Sequence, residues 1–414
     1  MKIKLASFLK RNQLIYDIYF YVFSALLAIV RLFVRTDDRL ILFISFGGKK
    51  YDDSPRALFE YMKADRHFAD YRFVWAFHDV DAHEVPGAKK IKVDTPGYFL
   101  TALRARAWVT NSAVERGLRF KGRHTYYVNT WHGVPLKRLG NDQPASLKSS
   151  FRRLETGKHS YDTFLIQGEF DRKVLTSAYN ISPKQFLMSG LPRNDVLANA
   201  GPDQRIQARA RIGVPEGKKV ILYAPTFREY LLDGLDVVLP SHIDFQRWEA
   251  ELGDDYVFLF RAHYEVARVT DFPAHSDFAR DVSSYPELAD LMIAADVLIS
   301  DYSSIFFDFA ILKRPMICYA YDYDEYESKR GLYFDVRKEL PAAETEDGVL
   351  ALVKQGNALR PQTFAFRGKF LGRYGCACET VADNIYQAIR TNSFKVLLFQ
   401  TFWARLWWKI RKRF

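Results

Sequence analysis

The sequence has few cysteines and no glycine-rich phosphate-binding loop of the type found in ATP-binding proteins. Its 414 residues include three cysteines, Cys318, Cys376 and Cys378, and this small, uneven set argues against a disulfide framework and for a reducing compartment. No matching Cys or His pair accompanies Cys376 and Cys378, so free thiols are expected rather than a metal site. A Gly-rich loop that ends in Lys-Ser or Lys-Thr is absent, which argues against ATP-dependent phosphoryl transfer.

Long uncharged apolar runs are also missing. Near the N-terminus the run 18–30 covers about a dozen residues, fewer than the roughly 18–20 that span a bilayer. Lysine and arginine flank this run, and no small-residue cleavage site of a signal peptide follows it. Residues 1–38 are therefore predicted to form a membrane-associated helical segment that lies in the membrane interface. The alternative is a helix that packs on the folded body.

Acidic residues are too few to balance the basic ones, and the formal net charge is +11. Such a charge indicates an anionic partner: nucleic acid, an acidic membrane or a phosphorylated substrate. No helix-turn-helix, zinc-finger or aromatic RNA-binding signature supports nucleic acid. The basic C-terminal stretch 393–414 has an apolar helical face formed by Phe399, Phe402, Trp403, Leu406 and Ile410. It predicts an amphipathic helix that anchors the protein to an anionic membrane surface; the alternative is a terminal helix packed on the domain.

Predicted strands and helices alternate along the rest of the chain. The strands are mostly apolar and end in polar or glycine-rich loops, which is typical of a parallel sheet covered by helices. They span residues 39–46, 71–77, 107–111, 125–129 and 164–167 and, beyond a polar stretch from Pro202 to Gly217, residues 219–224, 256–260, 297–300 and 315–319. The pattern predicts an α/β protein with two Rossmann-like domains, 39–200 and 215–390, that face each other across a cleft.

Polar residues follow several of these strands, where open α/β sheets bind ligands. His132 comes after the strand 125–129, in a stretch whose glycine and proline residues indicate a loop. The alternative is an ordinary loop histidine. In the second half, Ser303 and Ser304 precede a predicted helix, where serine caps the helix and free backbone N–H groups bind anions. Simple capping is the alternative there.

Five further residues complete a candidate cleft for a nucleotide diphosphate. Thr226 is a hydroxyl donor in the loop after a strand. Arg261 and His263 alternate at a strand end and so point to the same side. Arg193 is a bidentate phosphate donor, and Asp308 accepts hydrogen bonds from ribose hydroxyls. Neither a metal ion nor another cofactor is predicted, because no acidic pair has the setting of a metal site and serine and arginine side chains neutralise phosphate without one.

Six ordered motifs resemble those of a known family, the CDP-glycerol glycerophosphotransferases, which include the teichoic acid primases and polymerases. The motifs span residues 131–137, 190–195, 223–228, 261–264, 300–308 and 330–335. The resemblance implies a GT-B-like fold and transfer of glycerol phosphate from CDP-glycerol to a hydroxyl, with release of CMP. It implies two essential histidines, which fall on His132 and His263. The family's donor-binding positions fall on His132, Gly133, Val134, Pro135, Leu136, Arg193, Pro225, Thr226, Arg261, Ala262, His263, Ser303, Ser304 and Asp308.

The expected reaction is attack of an acceptor hydroxyl on the β-phosphorus of the CDP-polyol. A neutral histidine is suited to take the proton near pH 7, and we assign this role to His132. His263 and Arg261 are expected to stabilise charge on the transferred phosphate. The sequence leaves open whether His132 or His263 takes the proton.

The expected partners are CDP-glycerol, a polyprenyl-linked saccharide or polymer as acceptor, and an anionic membrane, with no nucleic acid. The expected place is the cytoplasmic face of the bacterial cell membrane, as a peripheral protein that makes teichoic acid or a related wall or capsule polymer. Three alternatives remain: the same chemistry with CDP-ribitol, a GT-B glycosyltransferase that uses a nucleotide sugar, and a non-catalytic membrane-binding protein.

Overall fold

Two parallel β-sheets contain the apolar runs of the sequence. The computed structural model describes residues 13–144, 160–226, 228, 238–239, 242–262, 268–269, 272–273 and 276–390. The first half contains α1 (Gln13–Phe33), β1 (Asp37–Ile44), α2 (Asp53–Ala64), β2 (Arg72–Phe77), β3 (Ala88–Lys92), α3 (Pro96–Arg104), β4 (Ala105–Thr110), β5 (Tyr126–Asn129), β6 (Thr163–Ile166), α4 (Glu169–Tyr179), β7 (Phe186–Met188) and α5 (Asp195–Ala198).

The second half continues in the same alternation. It contains α6 (Pro202–Ile212), β8 (Lys219–Tyr223), β9 (Val238–Leu239), α7 (Phe245–Leu252), β10 (Tyr256–Phe260), β11 (Arg268–Val269), β12 (Ala279–Asp281), α8 (Leu288–Ala294), β13 (Val297–Ser300), α9 (Ile305–Ala310), β14 (Met316–Tyr319), α10 (Tyr323–Arg330), β15 (Ala342–Ala343), α11 (Glu346–Gln355), α12 (Arg360–Phe370) and a last helix, α13, at 377–390.

The first sheet has the strand order β3-β2-β1-β4-β5-β6-β7, and its strands pair in parallel. Alternate residues of a strand face opposite sides of a sheet. In β1, Ile41 and Phe43 pack with apolar residues of α2 on one face. Leu40 and Leu42 pack with residues of α3 on the other face. Burial on both faces explains why these strands are apolar throughout.

The second sheet has the strand order β12-β10-β8-β13-β14-β15, again with parallel pairing. Leu222 of β8 packs on the side of α8 and α9. Its neighbour Ile221 packs on the opposite side, with Trp248 of α7 and Val353 of α11. A small parallel pair, β9 and β11, lies outside this sheet. Each half of the chain therefore forms one helix-covered parallel sheet, as predicted.

All the predicted strands are present, with small shifts at their ends. The sequence did not indicate β3, β7, β12 and β15, which lie toward or at the sheet edges. Residues of β3 and β7 are half-buried or exposed. Because an edge strand is covered on fewer sides, it needs no continuous apolar run.

Two helices pack in places that the predicted domain bounds did not indicate. Helix α6, in the predicted linker, packs on the second unit, where Arg205 and Arg209 contact Asp296 at 2.5 and 3.3 Å. Helix α13 falls inside the predicted second domain, 215–390, but its Val381 and Ile385 pack in the core of the first sheet. The chain thus returns to the first unit at its end, which corrects the predicted extent of the second domain.

Helix α1 has 21 residues and is longer than the predicted apolar run because it continues through Asp17 and Arg31. It lies against the first unit. The Tyr16 hydroxyl donates to the Gly117 carbonyl at 3.1 Å, and the Arg119 N–H donates to Ser24 Oγ at 2.9 Å. One apolar stripe remains exposed, formed by Leu14, Ile18, Tyr21, Val22, Leu26, Ile29, Leu32 and Phe33.

By length and composition, the part Leu14–Phe33 of α1 is sufficient to cross a bilayer, and it is the one such helix among the described residues. Residues 1–12 and the predicted amphipathic helix 393–414 lie outside the described residues. The membrane partner therefore remains a prediction.

Candidate active site

A sharp turn after β5 places His132 at the carboxyl edge of the first sheet. The Thr130 N–H donates to the Thr110 carbonyl at 2.7 Å, and the Trp131 N–H donates to Asn129 Oδ1 at 2.8 Å. Trp131 takes a left-handed backbone conformation with φ of +54°. Its indole packs against Phe164, with ring centroids 5.6 Å apart. These contacts end the strand and hold the next residue, His132, at the sheet edge.

The tautomer of the neutral His132 ring follows from one hydrogen bond. Nδ1 lies 3.0 Å from the carbonyl oxygen of Asn111. A carbonyl only accepts, so Nδ1 carries the hydrogen and Nε2 of the neutral ring keeps its lone pair. His132 is exposed to solvent as a residue, but the protein atoms packed around its ring desolvate it and lower the pKa of His132 below its ordinary value. The Asn111 bond and Asp53 oppose this shift, and Arg193 adds to it. A neutral ring at neutral pH suits a general base.

Beyond His132 the loop crosses to the second unit. Val134 and Leu136 are buried in the core of the second sheet. The Arg138 N–H donates to the Gly331 carbonyl at 3.0 Å, and the Tyr333 N–H donates to the Leu136 carbonyl at 2.9 Å. Gly133 to Leu136 are all buried. The Val134 and Leu136 side chains pack in the protein core, and contacts of these predicted donor-binding positions with a ligand remain predictions.

Arg193 joins the two units next to His132. Its Nη1 lies 2.7 Å from Asp53 of α2, and its Nη2 lies 2.7 Å from Asp308 of α9. Nη1 also donates to the His132 carbonyl at 2.9 Å. Burial alone would lower the pKa of Arg193, but Asp308 and Asp53 raise it above the ordinary value. The guanidinium thus stays charged. It lies between the two carboxylates and holds the His132 loop through the His132 carbonyl.

The same contacts occupy the carboxylate of Asp308. Its Oδ2 accepts from Arg193, and its Oδ1 accepts from Asn194 Nδ2 at 2.6 Å. Burial raises the pKa of Asp308, and the Arg193 charge opposes that rise. The predicted roles of Arg193 on phosphate and Asp308 on ribose would compete with these contacts. In this arrangement both residues link the two units, and their contacts with the donor remain predictions.

Gly133 lies close to Ser304 of the second unit. Its φ is +142°, and a Cβ added there would lie 3.0 Å from Ser304 Oγ. A larger residue would push the loop away from Ser304. Ser303 Oγ accepts from the Ile305 N–H at 3.2 Å and so caps α9, whereas Ser304 makes no capping bond with its side chain. The half-buried Ser304 hydroxyl is the one that adjoins the His132 loop.

Thr226 lies in a second polar cluster at the end of β8. Its N–H donates to Asp301 Oδ1 at 2.8 Å, and Asp301 Oδ2 lies 2.9 Å from Arg228 Nη1. The buried Thr226 hydroxyl has no hydrogen-bond partner among the described residues. A buried hydroxyl that lacks a protein partner is suited to a ligand. Asp301 holds this loop and Arg228, and the described residues contain no group of three metal-binding side chains.

Arg261 and Ala262 follow β10. Nη1 of Arg261 donates to the carbonyls of Val282 and Tyr285 at 3.0 and 2.7 Å, and burial lowers the pKa of Arg261. The Ala262 N–H donates to Ser283 Oγ at 2.8 Å. Pro225 is half-buried beside Thr226. His263 lies outside the described residues, so its place in the site remains a prediction.

Sequence reasoning missed Asp53, Asn111 and Arg228. Asn111 is the last residue of a predicted strand, and this position at the carboxyl edge of the sheet could have marked it as a candidate site residue. Asp53 precedes Ser54 and Pro55 at a helix start, which indicates capping and gives no sign of contact with residue 193. Arg228 belonged to a recognised motif without an assigned role. Only the assembled structure connects these three to the site.

Two Rossmann-like units, with a strand-end histidine in one and hydroxyl and arginine side chains at strand ends of the other, define a GT-B-like α/β protein. The chain belongs to the family described as CDP-glycerol:poly(glycerophosphate) glycerophosphotransferase, which it matches over residues 26–389. The resemblance carried by the sequence motifs is thereby confirmed.

Relatives and one solved structure support this assignment. The chain is 38% identical over 317 residues to a teichoic acid poly(glycerol phosphate) polymerase of Staphylococcus epidermidis, covering 73% of this chain and 43% of the polymerase. It is 36% identical over 376 residues to a teichoic acid glycerol-phosphate transferase of Staphylococcus aureus, covering 84% of this chain and 93% of the transferase. A variant of the wall teichoic acid polymerase TagF, soaked with CDPG, superposes with a TM-score of 0.80 at 32% identity, covering 89% of this chain and 93% of that chain.

Proposed function

We propose that the protein transfers glycerol phosphate from CDP-glycerol to a hydroxyl of a membrane lipid-linked acceptor and releases CMP, in the synthesis of teichoic acid or a related wall or capsule polymer. The observation that carries this proposal is the placement of His132. Its Nδ1 is hydrogen-bonded to the Asn111 carbonyl, and its loop adjoins Ser304 of the second unit. Family membership and the CDPG-soaked relative support CDP-glycerol as the donor.

In the proposed reaction the acceptor oxygen forms a bond to the β-phosphorus of CDP-glycerol. The bond from that phosphorus to the CMP oxygen breaks, and CMP leaves as an anion. Nε2 of His132 takes the acceptor proton and later returns it to solvent. The Ser304 and Thr226 hydroxyls donate hydrogen bonds to phosphate oxygens, and Arg261 supplies positive charge near them. This chemistry requires charge stabilisation and proton transfer. His263, which lies outside the described residues, is proposed to stabilise charge on the transferred phosphate together with Arg261.

The proposed location is the cytoplasmic face of the cell membrane, with the protein attached peripherally. The exposed apolar stripe of α1 supports interfacial binding, since the helix also contacts the first unit at Tyr16, Ser24 and Arg31. A helix held along the protein body in this way is suited to lie in the interface.

The test is CMP release by His132→Asn. The variant should bind CDP-glycerol yet release CMP about 10²–10⁴-fold more slowly with a lipid-linked acceptor, the range for loss of a general base. The matched control is His67→Asn, because His67 contacts Asp65 and Tyr386, away from the cleft. Near-normal CMP release by His132→Asn would overturn the assignment of the base.

The donor and product are tested in the same assay. CDP-glycerol, CDP-ribitol and a nucleotide sugar are supplied in turn, each with a lipid-linked disaccharide and with an already primed acceptor. Transfer from CDP-glycerol and not from the others supports the proposal. Transfer from CDP-ribitol or from the nucleotide sugar alone would establish the corresponding alternative, and product length separates addition of one unit from addition of many.

A further inference from the structure

A cavity of about 1110 Å³ lies between α1 and the segment 113–124 of the first unit. None of the predicted donor-binding residues lines it. It is therefore separate from the cleft that holds His132. Its size slightly exceeds the usual range of about 300–1,000 Å³ for small-molecule sites.

The walls of this cavity are rich in positive charge. Arg31, Arg119, Lys121 and Arg123 line it, and its one lining carboxylate belongs to Glu115. Glu115 accepts hydrogen bonds from Tyr127 and Ser160. Lys121 is paired with a carboxylate at 2.8 Å outside the cavity. The Arg119 and Arg123 side chains are exposed. Arg123 Nε donates to His124 Nε2 at 3.0 Å, which leaves the Nη atoms of Arg123 as its candidate phosphate donors.

A neighbouring histidine lies close to two of the positive charges. Burial lowers the pKa of His124, which also lines the cavity, and the charges of Arg123 and Arg106 lower it further. Such surroundings disfavour a further cation and favour an anionic group. Arginine binds phosphate oxygens with paired N–H donors. The charge of the cavity thus fits a phosphate.

Apolar side chains form the remaining wall. Phe20 and Leu32 of α1, Leu103 of α3 and Phe120 line the cavity. The exposed apolar stripe of α1 is on the same helix. A cavity that combines cationic and apolar walls beside an apolar outer face fits an amphiphile with an anionic head.

A short segment joins the cavity to the candidate active site. Asn111 holds Nδ1 of His132, whereas Ala113, two residues further along, lines the cavity. Between them, the Ser112 carbonyl accepts from Asn129 Nδ2 at 2.8 Å and from the Tyr161 hydroxyl at 3.4 Å. A lipid head in the cavity would therefore lie behind the segment that positions the proposed base.

We propose that this cavity binds the phosphate-bearing head of the lipid-linked acceptor, with Arg119 and Arg123 as phosphate ligands and α1 against the lipid. The inference rests on the proposed function, since it places the acceptor of that reaction. We name the acceptor as the ligand, and not bulk phospholipid, because the cavity lies beside the segment that holds His132.

The test uses Arg119→Gln, Arg123→Gln and the double variant in the full-length protein. KM is measured for the phosphate-bearing lipid-linked acceptor and for a lipid-free acceptor with the same saccharide but no phosphate. KM for the first should rise about tenfold per substitution, the loss expected for a charge-assisted hydrogen bond, and KM for the second should not change. The matched control Arg247→Gln, on an exposed ion-pair residue of α7, should leave both KM values unchanged.

Three results would overturn the inference: an unchanged KM for the lipid-linked acceptor, equal rises for both acceptors, or a parallel loss of binding to vesicles of anionic phospholipid without acceptor. The last result would assign the two arginines to general membrane contact. Direct binding of the lipid-linked acceptor without donor is measured alongside. If wild type binds it through these arginines but transfers nothing from CDP-glycerol, the proposed function fails and the cavity assignment stands.

Discussion

At the scale of single residues, Asp53 positions other residues of the site and makes no hydrogen bond with His132 itself. Its side chain is only 5% exposed, its φ is +64°, and its Oδ1 accepts from the Ser54 N–H at 2.5 Å. Through Oδ2 it holds Arg193, which in turn holds the His132 carbonyl. Asp53 is thus a positioning residue for the proposed base.

Asp53→Asn should lower kcat about tenfold, because it removes the charge that fixes Arg193 beside His132. Asp53 raises the pKa of His132, so its loss should also move the acidic limb of the kcat/KM profile to lower pH. Asp70→Asn, at an exposed pair with Arg39, is the control and should change neither quantity. A lower kcat with an unmoved pH profile would indicate a structural effect alone.

Asp171 lies behind the site and should make stability depend on pH. Burial raises its pKa to about 7, and Asp308 adds to the rise. The folded state therefore keeps a proton that the unfolded state releases near pH 4. As pH rises from about 4 to 7, stability should fall by up to about 1.4 kcal/mol per pH unit from this group.

Asp171→Asn should remove that dependence while preserving an acceptor for the Gln167 N–H, which the wild-type Oδ2 accepts at 2.7 Å. Denaturant unfolding at pH 5 and pH 8 measures the difference. Equal pH dependence in variant and wild type would show that Asp171 is ionised in the folded protein.

At the scale of elements, α1 has two faces with different partners. One face contacts the first unit, and the other is the exposed apolar stripe. Ile18 and Ile29 lie three turns apart on the stripe and are both exposed. Full burial of such a side chain is worth about 1.5–3 kcal/mol.

Ile18→Glu and Ile29→Glu should each weaken binding to anionic vesicles about tenfold or more, because a carboxylate replaces an apolar contact and meets like charge. Co-sedimentation with vesicles measures this. Ile206→Glu is the matched control, since Ile206 is an exposed apolar residue of α6 in the second unit. Unchanged sedimentation of both α1 variants would count against an interfacial role for this helix.

At the scale of the whole molecule, the buried Asp53–Arg193–Asp308 bridge ties the two units together. Arg193→Met would leave two buried carboxylates without a cation. The expected cost at neutral pH is about 3–5 kcal/mol, the range for a buried pair that loses one partner. Denaturant unfolding, with hydrogen exchange in both sheets, measures it. Arg39→Met, at an exposed pair with Asp70, should change stability little, and a similarly small effect of Arg193→Met would contradict the bridge.

Much of the architecture was predictable because it follows from local pattern. Apolar runs such as 256–260 and 297–300 are strands in the structure with the same bounds, since a strand buried on both faces must be apolar throughout. His132 was placed after β5 because glycine and proline end a strand. The strand ends that carry Thr226, Arg261 and Ser303 follow from the change from apolar to polar residues in the sequence.

Other features depended on contacts between distant parts of the chain. The packing of α13 on the first sheet and the meeting of Asp53 with Arg193 and Asp308 join residues more than a hundred positions apart. Local propensity carries no information about such pairs. The sequence by itself determined the central strands, the strand-end histidine and the family, because these follow from short patterns. Only the tertiary structure decided which carboxylates clamp Arg193 and where the cationic cavity lies, because burial and charge pairing arise when the two units and α1 pack together.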